Sequence, residues 1–98
     1  MINEFINHLE TIKGSSTHTC AAYRRDLRQF VAFMKQNYPG ITWSTITKGM
    51  IEHYIMTLVS YGELPSTTNR KISAISGLYR YLNTHGYECA NPAQYVSR

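Results

Sequence analysis

The chain has 98 residues, which fits one domain over 1–98 with a modest core and leaves little room for a second lobe. Hydrophobic residues make up 43%, yet no run approaches the roughly 20 apolar residues that a membrane-spanning helix needs. Ten Lys and Arg against six Asp and Glu leave a formal charge of +4, which excludes neither a solvated basic surface nor an anionic partner.

The start, MINEFINHLE, has neither the basic opening nor the apolar centre of a signal peptide, so a cytoplasmic location is expected. Cys20 and Cys89 lack the spacing of a zinc site and are expected as free thiols in a reducing compartment.

Periodicity predicts four helices in chain order. The first spans about Ile2 to Lys13, with Phe5, Ile6, Leu9 and Ile12 on one face and Gly14 as its breaker. The second runs from Thr17 to about Tyr38, capped by Ser16, with Tyr23, Leu27, Phe30, Val31 and Met34 as its apolar stripe. Pro39 and Gly40 stop it, and Trp43 and Ile46 are expected to tuck into the core from the linker.

The third helix starts after Thr47 and buries Ile51, Tyr54, Ile55 and Leu58, with Gly62 as its end. The fourth is expected to start after Ser66 and to reach about Thr84, burying Thr68, Ile72, Ile75, Tyr79 and Leu82. Asn91-Pro92 marks a turn in the tail, with room for a short fifth helix after it. No alternating strand pattern of useful length appears. The predicted fold is therefore all-α, a compact bundle of four main helices. The tail has no evident cap to the fold, which suits a fragment of something longer.

Charge is uneven along this frame. The second helix holds Arg24, Arg25, Arg28 and Lys35 against the single acid Asp26. The fourth holds Arg70, Lys71 and Arg80 with no acid. At about 100° per residue, Thr17, Ala21, Arg24, Arg28 and Lys35 fall on one stripe. The same geometry puts Asn69, Arg70, Ser73, Ser76, Gly77 and Arg80 together, away from the fourth helix's core face. Small residues between two arginines would let a phosphodiester backbone approach closely. Neutral donors at both helix starts, among them Thr19, His18 and Asn69, would add to that surface.

The four histidines sit singly in sequence, and no Gly-rich phosphate loop, nucleophile elbow or paired-carboxylate site is present. No catalytic residue, metal, cofactor or small-molecule substrate is therefore expected. Tyr23, Tyr54 and Tyr79 occupy core positions, whereas Tyr38, Tyr61 and Tyr81 are expected at the surface. A second reading, from a different class, is a helical protein-protein interaction module whose basic faces are solvated or meet an acidic partner.

Two segments carry a resemblance. They are S-x-x-T-x-x-A-Y-R-R-D-L-x-x-F over Ser16 to Phe30, and S-T-T-N-R-K-I-S-A-I-x-x-L-Y-R-Y-L over Ser66 to Leu82. With the FINHLE opening and the N-P-A at Asn91 to Ala93, the chain resembles the N-terminal core-binding, SAM-like domain of tyrosine recombinases, the phage-integrase family, in its Xer-like branch. The resemblance implies half of a C-shaped clamp on double-stranded DNA at a recombination core site. It also implies contact with other protomers in a synaptic complex.

Carried over by position, the DNA-binding residues would be Thr19, Arg24, Arg25 and Arg28 with Asn69, Arg70, Ser73 and Arg80. The family often has Arg or Lys in place of Ser76 and a larger residue than Gly77, so one phosphate contact is expected to be missing. The family's Arg, Lys, His and nucleophilic tyrosine belong to a C-terminal domain absent from these 98 residues. The parent, not this chain, would integrate or recombine DNA by strand cleavage and rejoining.

Overall fold

The computed structural model describes residues 2–11, 14–86, 91–94 and 96. It holds four helices and, among the described residues, no strand: α1 (Ile2–Thr11), α2 (Thr17–Asn37), α3 (Lys48–Ser60) and α4 (Pro65–Thr84). The all-α expectation is met.

Phe5 and Ile6 bury the inner face of α1, with Ile2 and Leu9 half-buried beside them. Ile12 and Lys13, assigned to this helix from sequence, lie outside the described residues. After them Gly14 adopts φ of 66°, a left-handed conformation that a side chain would strain. The Ser15 amide then closes on the Leu9 carbonyl at 3.0 Å.

Ser16 caps α2 as expected: its Oγ accepts from the Thr19 amide at 3.1 Å. Cys20, Leu27, Phe30 and Met34 are buried along α2. The helix ends one residue before Tyr38, whose amide donates to the Met34 carbonyl at 2.8 Å. Trp43–Thr45 form a short 3₁₀ turn that leaves Trp43 half-buried and Ile46 buried. Tyr79 Oη reaches across from α4 and donates to the Trp43 carbonyl at 2.6 Å. Thr47 caps α3 by accepting from the Met50 amide at 3.2 Å.

The start of α4 departs from the sequence expectation. Pro65 is the first helical residue and Leu64 the cap. Proline is at home there, because its fixed φ suits a helix and its missing N–H would have had no partner. Thr68 is buried as expected, and its hydroxyl donates to the Pro65 carbonyl at 3.0 Å, closing the first turn.

Helix α4 is the axis of the bundle. Nine of its residues are buried: Thr68, Lys71, Ile72, Ala74, Ile75, Ser76, Leu78, Tyr79 and Leu82. They cover most of the helix circumference, far more than the stripe of an ordinary surface helix.

The small-residue face is therefore not open. A Cβ on Gly77 would stand 3.2 Å from Phe5 Cζ, which shows that α1 crosses α4 at that glycine. Ser76 is buried, and its Oγ accepts from Asn91 Nδ2 and from Arg80 Nη1, each at 3.0 Å. Asn91 Oδ1 in turn accepts from the Ala93 amide at 3.0 Å, and Ala93 and Val96 enter the core. Residues 91–94 make a turn, while residues 87–90, including Cys89, lie outside the described residues. Small residues at 76 and 77 thus admit α1 and the tail, not a nucleic-acid backbone.

Tyr54 is the fold's buried exception. Its hydroxyl has no hydrogen-bond partner among the described residues, and burial, with the Asp26 and Glu63 charges, pushes its pKa up. An orphaned buried hydroxyl opposes folding. Tyr54→Phe should therefore leave stability unchanged or raise it, whereas Tyr79→Phe should cost about 1 kcal/mol. Urea unfolding of the two variants tests this. Gly77→Leu should cost roughly 1–3 kcal/mol by driving α1 away from α4, as the same titration would report.

Candidate nucleic-acid interface

The candidate residues lie on α2 and α4, and one contact ties the two helices together. Asp26 is 5% exposed and accepts two bonds from Arg70: Nε to Oδ2 at 2.9 Å and Nη2 to Oδ1 at 3.0 Å. The bond to Asp26 pushes the Arg70 guanidinium pKa up from its already high value, so Arg70 stays charged over any practical pH. One residue along, Lys71 is buried and donates to Gln29 of α2 and to Glu63, the latter at 2.8 Å. Two cations of α4 are thereby paired with acids of the protein itself. Of that helix's three, Arg80 alone has no acidic partner among the described residues.

Helix α2 comes out the other way. Asp26, its one acid, is spent on Arg70. Arg24, Arg25, Arg28 and Lys35 have no ion pair among the described residues. Arg25, Arg28 and Lys35 are exposed and Arg24 is half-buried. The excess charge of the molecule is concentrated on α2, not shared between two matched helices.

The sequence-predicted residues therefore divide. Thr19 is exposed in the first turn of α2, where its Oγ1 accepts from Ser16 Oγ at 2.9 Å. Asn69 and Ser73 are half-buried on α4. Arg70 keeps 41% of its side chain exposed, so one edge of the guanidinium still faces solvent.

Arg24 and Arg28 lie about 200° round the helix from Asp26, roughly opposite the side that meets α4. Arg28 and Lys35 instead flank α1 and the linker, where they border a hollow with Ile2 and Trp43. Arg80 sits beside α1 in a second groove, about 15 Å along α4 from Arg70. The structure thus joins Arg70 to α2 and does not gather all eight residues on one patch.

Sequence reasoning also missed a cluster. His8 and His85 stand with ring centroids 5.8 Å apart, and both pack on Tyr81, at 5.1 and 4.1 Å. His85 Nδ1 donates to the Tyr81 carbonyl at 2.9 Å. The two rings are 77 residues apart in sequence, which no local spacing rule could detect. No group of three or more metal-ligating side chains occurs among the described residues. No described helix is long and apolar enough to cross a membrane.

The arrangement of four helices and a cationic α2 agrees with sequence comparison. The profile of the family described as phage integrase, N-terminal SAM-like domain, matches residues 2–86. The chain belongs to this phage integrase family. Among its curated relatives is the tyrosine recombinase XerC of Thermodesulfovibrio yellowstonii, 34% identical over 96 residues, covering 98% of this chain and 30% of the relative. The XerC of Pseudomonas putida is 34% identical over 97 residues, covering 98% and 32%. The tyrosine recombinase XerD of Oceanobacillus iheyensis is 26% identical over 95 residues, covering 97% and 32%. This integrase-family chain spans about a third of the length of the relatives it matches. No solved structure matches it.

Arg70 in this integrase domain is a structural residue first. Arg70→Ala would leave Asp26 buried without its counter-ion. Breaking a fully buried pair costs about 3–5 kcal/mol, and the partial exposure of Arg70 lowers that to about 2 kcal/mol. The loss should largely vanish when Asp26→Asn is combined with Arg70→Met, since no unpaired charge remains. A four-variant thermal unfolding cycle measures this coupling.

Proposed function

We propose that this chain is the DNA-gripping part of a site-specific tyrosine recombinase, acting in the cytoplasm on duplex DNA. The observation that carries the reading is the row of unpaired cations on α2, in a chain of the phage integrase family. Arg24, Arg25 and Arg28 sit in the YRRDL segment without acidic partners among the described residues. Cations held next to a rigid core, with no internal counter-charge, favour the dense negative charge of a phosphate backbone.

In this reading α2 supplies most of the affinity through phosphate contacts. The solvent-facing edge of Arg70, with Thr19, Asn69, Ser73 and Arg80, supplies secondary contacts. Asp26 fixes the orientation of Arg70 and so the angle between α2 and α4. The chain itself performs no bond chemistry. Cleavage and rejoining, and contacts with other protomers, would be the work of a longer parent protein. Binding by this domain alone would be weak, on the order of 10⁻⁴–10⁻⁶ M, and strongly salt-dependent.

Fluorescence anisotropy of a labelled duplex at several salt concentrations tests the reading. Replacing Arg24, Arg25 and Arg28 together with Ala should reduce the slope of log K against log salt by about 3, one for each phosphate left without its arginine. Arg25 and Arg28 are exposed, Arg24 is half-buried, and none has an ion pair among the described residues, so the melting temperature should hardly change. An unaltered slope would favour an interaction module with a solvated basic face.

A further inference from the structure

A hollow of about 560 Å³ opens between the start of α1, the second half of α2 and the connection over 41–46. Its size falls within the usual range of ligand sites. Ile2, Val31, Ile41 and Trp43 form apolar walls, and all four remain half-buried. Arg28 and Lys35 stand on its border, both exposed and without ion pairs among the described residues. No Asp or Glu lines it among the described residues.

This combination is chemically selective. Apolar walls stabilise an apolar group, and the two cations stabilise negative charge on either side of it. Seven residues separate Arg28 from Lys35, about 10.5 Å along the helix. Three residues of extended chain cover about the same distance. A sugar-phosphate backbone could meet the cations but has no apolar side group to enter the walls. A neutral hydrophobic segment could enter but would leave both cations without partners.

We infer that this hollow docks an acidic peptide segment of a partner protein, with an apolar side chain seated against Trp43 between carboxylates that meet Arg28 and Lys35. The site lies on the flank of α2 opposite Asp26, so it does not require the α4 surface. It shares Arg28 with the proposed DNA contacts, and partner and duplex would therefore compete for that side chain. Lys35 belongs to the peptide site alone, which separates this inference from the DNA-binding reading.

Trp43 is the chain's single tryptophan, so its emission reports the site directly. The probe is an acetylated, amidated peptide Asp-Leu-Leu-Glu, titrated into the 98-residue chain. Its amide analogue Asn-Leu-Leu-Gln and a short duplex DNA are the comparisons. The acidic peptide should shift Trp43 emission saturably, with half-saturation on the order of 1 mM or tighter. The amide analogue should bind about tenfold more weakly or not at all.

Lys35→Glu should weaken the acidic peptide about tenfold, and Lys35→Gln should fall between. Lys35 is exposed on a well-anchored helix, so circular dichroism should show both variants folded. Absence of a shift into the millimolar range would overturn the inference. Equal binding of the amide analogue would overturn it too. A Trp43 shift caused by duplex DNA and abolished by Lys35→Glu would assign the hollow to the nucleic acid and overturn the peptide site. Absence of duplex binding by the unsubstituted chain, with the peptide shift present, would sink the DNA reading and leave this one standing.

Discussion

The bidentate bond between Asp26 and Arg70 sets the terms for the rest of the molecule. It ties the middle of α2 to the first half of α4, and it does so across 44 residues of sequence. Two parallel N–H···O bonds fix the orientation of the planar guanidinium as well as its position. The buried carboxylate cannot be left alone without an energetic penalty, so the two helices stay in one register. Lys71, reaching Gln29 and Glu63, adds a second tie beside it and extends the arrangement to the α3–α4 connection.

This bond also decides where the positive charge can act. A cation committed to a buried acid contributes little field outside the protein. Asp26 faces α4 and is taken up by Arg70, while Arg24 and Arg28 lie on the far side of α2, so no acid of their own helix quiets them. The internal pair and the external charge thus occupy opposite sides of α2. A helix that is neutral inside and cationic outside suits a surface meeting a polyanion, because the folding contacts and the binding contacts do not draw on the same groups.

Much of the fold was legible because it rests on local chemistry. The 3.6-residue spacing of apolar residues gave α1 through α4. Ser16 and Thr47 announced their helix starts through the side-chain oxygens that serve as caps. The Ser-Thr-Thr run misled at α4, where Pro65 at the first helical position outweighed a hydroxyl cap. Long-range partners were not legible. Ser76 and Gly77 appeared as an open surface because nothing near them in sequence shows that Asn91 and Phe5 occupy that space. Arg70 looked like a free cation for the same reason. The α2 arginines were legible as candidates, since their only nearby acid points elsewhere, whereas the hollow beside Trp43 needed three separate elements to become visible.

The tail hydrogen bond to Ser76 has a mechanical meaning. The chain leaving α4 does not run straight off the helix end: by Asn91 it has doubled back beside the helix at Ser76. Tension applied to the chain beyond Val96 would therefore load the Asn91 side chain and the buried Ala93 and Val96 before it reached the last turn of α4. The Asn91–Ser76 bond and the two buried side chains thus stand between a load on the tail and the end of α4.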